Sequence, residues 1–251
     1  VAVTTALVRR IRAITAGEDE ARQNPHESRA NGVLRPIVFG ANDGLVSNLA
    51  LVMGVAGATS DPGVIVLAGI AGLLAGAFSM GVGEYISVQS QQELLAYQIE
   101  FQRRQLVEVP EQERAILVSS YVEKGFSEDE AGAFADRVFQ DMDHAVSVML
   151  HTEVGLDARS IGSPLAAAVG SFLAFTLGAL VPLVPYLLAS GTGAFVASLG
   201  LSLVALAFLG AGISLLTRRP LLFSAVRQVV LGGMAAAVTY AVGSMVGVSA
   251  A

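Results

Sequence analysis

The chain has 251 residues, 53% of them hydrophobic and only 14% charged, with a formal net charge of −6. A soluble domain of this size carries about 25% charged residues, so the composition points to an integral membrane protein. The lack of cysteine excludes a disulfide framework and a thiolate metal site, and the acidic balance argues against nucleic acid as a partner.

In chain order, residues 1–32 open with VAVTTALVRRIRAI, which carries Arg9, Arg10 and Arg12. This stretch can form a short amphipathic helix on a membrane surface or a disordered cytoplasmic tail; no secretory signal is expected in it. Span 1 is expected at 33–58 and contains Asn42, Asp43 and Asn48 inside an apolar run. Asp43, Ser47, Ala50, Gly54 and Gly57 would share one small-residue helix face. TSDPG (59–63) is expected to turn, and span 2 follows at 64–88. On a helix, Gly69, Gly72, Gly76, Ser79, Met80, Gly83 and Glu84 fall within an arc of about 140°. That stripe of small residues suits close contact with another helix.

The helix of span 2 is expected to run on until Pro110 resets it. Residues 91–160 then form an acidic helical segment, with 14 acids against 6 basic residues. Pro110-Glu111-Gln112-Glu113 reads as a helix start, Gly125 as its end, and Ser127 with Glu130 as a capping box. A last helix is expected from Asp141 to about Leu156. Spans 3, 4 and 5 follow at 164–189, 194–216 and 221–248, the first of them kinked at Pro182 and Pro185. The expected fold is all-α, with five transmembrane helices and a cytoplasmic helical insert between helices 2 and 3. The expected divisions are 1–32, 33–90, 91–160 and 161–251. Arginines flank the N-terminal segment, the insert and the 217–220 loop, whereas the 59–63 and 190–193 loops have none. The positive-inside rule then places the N-terminus and the insert in the cytoplasm, and the C-terminus outside or in a lumen.

No nucleophile–base pair, phosphate loop or dinucleotide motif is present, so the chain does not read as an enzyme. The intramembrane polar set is Asn42, Asp43, Asn48, Met80 and Glu84. A carboxylate part-way into a span is costly unless it binds or moves a cation or proton; near the surface it can instead cap or snorkel. Carboxylates with a thioether suit a divalent first-row metal such as Fe²⁺ or Mn²⁺, although a lone Met in a span can also be packing. Five spans enclose little on their own, so a homodimer is expected, meeting through the small faces of spans 1 and 2. In the insert, Glu113, Met149, Glu153 and His151 are candidate metal ligands, with Asp141 and His144 beside them; a solvated acidic surface is the alternative.

Three segments carry a resemblance: FGANDGLVSNLALVMGVAGA (39–58), GIAGLLAGAFSMGVGEYISVQSQ (69–91) and GALVPLVPYLL (178–188). Together they resemble the vacuolar iron transporter family, and the GEYISVQSQ ending is most like its bacterial and nodulin-like branches. The resemblance implies five spans, a dimer, and proton-coupled movement of Fe²⁺ or Mn²⁺ out of the cytosol. It also implies that Asp43 and Met80 line the pathway, and that Glu113, Met149 and Glu153 bind metal in a three-helix cytoplasmic insert. Gly72 departs from the pattern, standing where plant-type members have a glutamate; Glu84 is the nearest substitute. Gln102, Gln105, Ile116 and Leu150 stand where those members have further acids or a methionine, and amide oxygens of Gln102 and Gln105 remain weak ligand candidates.

The leading expectation is an antiporter exporting divalent iron or manganese, with Zn²⁺ or Co²⁺ as further substrates and no permanently bound cofactor. It would sit in a bacterial inner membrane or a vacuolar membrane. A membrane-anchored metal-binding or sensing protein is the alternative. An organic-solute carrier ranks last, because the spans are read as lacking a basic residue to pair an anion.

Overall fold

Eight helices and no strand make up the described residues, which in this computed structural model are 25–153, 162–217 and 219–250. The proposed surface helix with Arg9, Arg10 and Arg12 lies outside them, as do Arg218 and the side chains of Arg29, Arg35 and Glu153. The helices are α1 (Pro25–Ala58), α2 (Pro62–Glu108), α3 (Pro110–Glu123), α4 (Glu128–Val138), α5 (Met142–Glu153), α6 (Pro164–Leu188), α7 (Gly191–Thr217) and α8 (Leu221–Ala250). Five of them, α1, α2, α6, α7 and α8, are long and apolar enough to cross a membrane. The expected helix boundaries hold within a few residues, except that α1 begins eight residues before the expected start of span 1, at Pro25.

Local chemistry explains most of the breaks. Asp61 caps α2, its Oδ1 accepting the Gly63 N–H at 2.8 Å ahead of a proline at the first helical position. Gly125 ends α3 in a left-handed conformation, φ +92°. The Phe126 and Gly125 amides donate back to Tyr121 and Val122, closing the helix in a Schellman arrangement. The expected capping box is present, with Glu130 N–H donating to Ser127 Oγ and Ser127 N–H donating to Glu130 Oε2. Ser163 caps α6 ahead of Pro164.

The chain divides into two compact units. One comprises Val33–Ser87 and Ser163–Ala251 and so holds α2 as far as Ser87 together with the other four apolar stretches. Its main core gathers Leu45, Leu49, Val52 and Met53 of α1 with Ile65, Leu183, Leu206 and Ala236. A second cluster joins Leu73 and Ala77 of α2 to Phe175 and Ala179 of α6. Helix α1 approaches two neighbours at backbone distance. A Cβ at Gly44 would overlap the Phe175 carbonyl of α6, and one at Gly57 the Tyr240 carbonyl of α8. Only glycine permits those crossings, the usual device where apolar solvent gives helices no hydrophobic reason to associate.

Part of each small face of spans 1 and 2 is used within the chain, while Asp43, Ser47, Ser79 and Gly83 stay exposed. Gly54 and Gly57 close on Thr239 and Tyr240, while Gly69, Gly72 and Gly76 close on Leu183, Leu51 and Phe175.

The other unit contains Val88–Gly162. Here α3, α4 and α5 pack together around Leu106, Leu117, Ala135, Val138, Val146 and Met149. Among the described residues, two ion pairs tie its helices: Arg103–Asp143 at 2.6 Å and Arg114–Asp136 at 2.7 Å. Both are exposed, so each contributes little to stability.

Candidate functional site

Three of the polar side chains of helix α1, Asn42, Asp43 and Asn48, are spaced so that they point about 100–140° apart. They accordingly meet three different surroundings. Asn42 Oδ1 accepts a 2.6 Å hydrogen bond from Gln228 Nε2 of α8. Asn48 is 2% exposed and donates through Nδ2 to the Ala179 carbonyl of α6 at 2.7 Å. Among the described residues, its Oδ1 finds no hydrogen-bond partner. Asp43 is exposed, with Ser47 exposed one turn on, and Ser47 Oγ donates to the Asp43 carbonyl at 2.6 Å. Asp43 lies seven residues beyond Pro36, where the apolar stretch begins, or about 10 Å along the helix. An open carboxylate at that depth cannot face hydrocarbon cheaply; it needs water, a cation or another polypeptide against it.

On α2, Met80 is half-buried and packs on the Leu73–Ala77–Phe175–Ala179 cluster. Glu84 is half-buried one turn further on, and Gly83 beside it faces open space. Gly72 is not an empty substitute for a larger residue. A Cβ there would overlap Leu51 Cδ2 and lie 3.0 Å from the unpaired Asn48 Oδ1. The structure thus brings Asn48 and the glycine stripe together, whereas Asp43 lies on another face of α1.

The prolines of α6 remove the amides that would bond the carbonyls of Gly178 and Val181, four residues back. Side-chain donors from neighbouring helices arrive one residue further along: Asn48 at Ala179 O, and Ser198 Oγ at Pro182 O, 2.6 Å away.

In the second unit, Gln102 and Glu113 are both buried, and Gln102 Nε2 donates to Glu113 Oε2 at 2.6 Å. Met149 is fully buried in the same unit's core. Gln105 is half-buried, while His144 and His151 are exposed. Glu153 continues α5, with its side chain outside the described residues. Among the described residues, no three His, Asp or Glu side chains gather closely enough to hold a metal ion. What the described residues assemble here is a buried carboxylate–amide pair, in a unit whose core includes Met149. The Arg114 hydrogen bond holds the Asp136 carboxyl below its usual range, with the guanidinium charge adding to the effect.

Two residues escaped the sequence reading. Gln228 binds Asn42, and Arg227 precedes it seven positions into α8, so the spans do contain a basic residue. Both were visible as interruptions of an otherwise apolar stretch; what the sequence did not show was that α8 would run alongside α1.

Five apolar helices, with carboxylates and amides set among them, define the class: a polytopic α-helical membrane protein. The profile described as the VIT family matches residues 34–244. The chain therefore belongs to the VIT family, that of the vacuolar iron transporters its motifs resemble. It is 29% identical over 209 residues to vacuolar iron transporter 1 of Oryza sativa subsp. japonica, covering 83% of each chain. With vacuolar iron transporter 1 of Arabidopsis thaliana it shares 29% identity over 218 residues, 86% of this chain and 87% of the relative. With vacuolar iron transporter homolog 1 of the same plant it shares 32% over 233 residues, 91% and 90% of the two chains.

Proposed function

We propose that this protein transports divalent iron across its membrane, moving Fe²⁺ out of the cytosol in exchange for protons, with Mn²⁺ as a second substrate. The observation that carries the reading is the open carboxylate of Asp43 inside an apolar helical stretch, together with relatives that are named iron transporters. Asp43 is the group that alternates between metal and proton. Asn48 and Met80 supply an amide oxygen and a thioether along the path, and Glu84 serves the entrance. Asn42 fixes α1 against α8. The open strip of Asp43 and Ser47 is covered by a second copy of the chain, so that two protomers flank the path as a homodimer. Residues 91–160 lie in the cytoplasm with the N-terminus and collect metal through Glu113, Gln102, Gln105 and Met149, with Glu153 and His151 contributing. The membrane is a bacterial inner membrane or a vacuolar one.

The test is metal flux in proteoliposomes holding an Fe²⁺-quenched dye, compared across Fe²⁺, Mn²⁺, Co²⁺ and Zn²⁺ at two pH gradients. Uptake of Fe²⁺ and Mn²⁺ should rise with the opposing proton gradient. Asp43→Asn should lower it about tenfold or more, the effect of weakening the ion's hold by ~1.4 kcal/mol. Full transport by Asp43→Asn would remove that residue from the mechanism. A second reading, a membrane-anchored metal-binding protein, draws support from the separate core of the 88–162 unit. Metal binding by the full chain with no flux in any gradient would favour it.

A further inference from the structure

Residues 162–251 contain no Asp, Glu, Lys or His; their only charges are Arg218, Arg219 and Arg227, all within ten positions. Arg219 is exposed two residues before α8 begins, and Arg227 is exposed on α8 itself. Neither takes part in an ion pair among the described residues. Arg227 lies six residues beyond Leu221, about 9 Å along the helix. Its guanidinium does not extend outward at that level. It folds back one turn, with its central carbon 6.0 Å from the centre of the Phe223 ring, toward the start of the helix. The same helix face continues with Val230, Leu231, Met234 and Val238, all exposed and all apolar.

An arginine that lies over an aromatic ring and bends toward the end of an apolar helix is in the snorkelling posture. The stem lies along hydrocarbon while the cation seeks the level where charge is solvated or paired. We propose that this α8 face holds an anionic phospholipid. Its phosphodiester headgroup meets Arg227 and Arg219, and its acyl chains lie along Val230, Met234 and Val238. The charge arithmetic selects a lipid over a second copy of the chain meeting it face to face. A two-fold contact through this surface would set Arg227 against Arg227, and the last three helices offer no acid to relieve the repulsion.

The experiment titrates phosphatidylglycerol into the full-length protein in phosphatidylcholine-containing micelles and counts bound lipid by native mass spectrometry. Phosphatidylglycerol should be retained in preference to phosphatidylcholine. Arg227→Gln should weaken its binding about fivefold, and Arg219→Gln with Arg227→Gln about twenty-five-fold. Arg227→Lys, which keeps the charge, should stay within about twofold of the parent and serves as the folded control. The proposal is overturned if the double variant binds phosphatidylglycerol as the parent does, or if phosphatidylcholine binds equally well. Complete displacement of the lipid by millimolar inorganic phosphate would also overturn it, since the surface would then be a free-anion site.

Discussion

Replacing Asn48 by leucine separates what this side chain does for stability from what it does for transport. Asn48 is buried among apolar neighbours, makes one 2.7 Å hydrogen bond to the Ala179 carbonyl, and leaves its own oxygen unpaired beside Gly72. The hydrogen bond between helices is worth about 0.6 kcal/mol by the averages for membrane proteins. Burying an acceptor without a partner costs about 1–3 kcal/mol. Leucine is near-isosteric, removes both terms, and leaves the Ala179 carbonyl in the α6 ladder. The arithmetic gives a variant as stable as the parent, or more stable by up to about 2 kcal/mol. If the free oxygen is held for a passing ion, flux must fall while stability does not. Unfolding by SDS titration, read by circular dichroism, gives the first quantity; Fe²⁺ uptake per folded molecule gives the second. A variant destabilised by more than about 2 kcal/mol that still transports at the parental rate would refute the reasoning and make Asn48 a structural tie.

Two further outcomes concern the 88–162 unit. Gln102→Glu would place a second carboxylate against buried Glu113. The metal-free protein should lose stability through like-charge contact, and Fe²⁺ or Mn²⁺ should restore it, as measured by thermal melts with and without metal; no metal-dependent rescue would argue that the pair is structural only. The Arg114–Asp136 pair predicts an acid-side effect. The Asp136 carboxyl is held below its ordinary value of 3.8, so its contribution to stability is fully present above that value. It is lost as the pH falls through the lowered one. Asp136→Asn should therefore lower stability slightly at neutral pH and flatten the acid limb, with variant and parent converging at the acid end, and an unchanged acid limb would contradict it.

The helices were legible in the sequence because their signals are local. Pro110, Gly125 and the Ser127–Glu130 box act within one turn, and apolar runs of more than twenty residues need no partner to be recognised. The three faces of α1 followed from helix periodicity, but their partners did not. Gln228 finds Asn42 across 186 positions, and Ala179 finds Asn48 across 131. Nothing in the spacing of the glycines told whether they would meet a second copy or the same chain. Gly72 was legible as a departure from a family pattern; that Leu51 fills the space was not, because it depends on the register of α1 against α2.

That register also decides which elements can move. Helix α1 meets α6 and α8 backbone to backbone. Gly44 lies on the Phe175 carbonyl, Gly178 on the Ala41 carbonyl, Gly57 on the Tyr240 carbonyl, and Gly243 on the Gly54 carbonyl. Such contacts tolerate no sliding without loss of fit. Helix α2 meets the same layer through the ends of side chains: Leu183 Cδ1 at Gly69, Leu51 Cδ2 at Gly72, and the Phe175 ring at Gly76. Side-chain ends have alternative rotamers, which a backbone carbonyl does not. Access to the path should thus change by α2 shifting against a fixed α1–α6–α8 layer. The chain has no cysteine, so paired substitutions test this cleanly. A Cβ at Gly54 lies 3.4 Å from Thr239 Cβ, close to disulfide spacing, and Gly54→Cys with Thr239→Cys should lock α1 to α8 with flux intact. A Cβ at Gly72 lies 3.7 Å from Leu51 Cγ, so Leu51→Cys with Gly72→Cys should lock α2 to α1 and stop Fe²⁺ uptake until the bond is reduced. Flux that survives the second bond and stops with the first would show that α8, not α2, is the moving element.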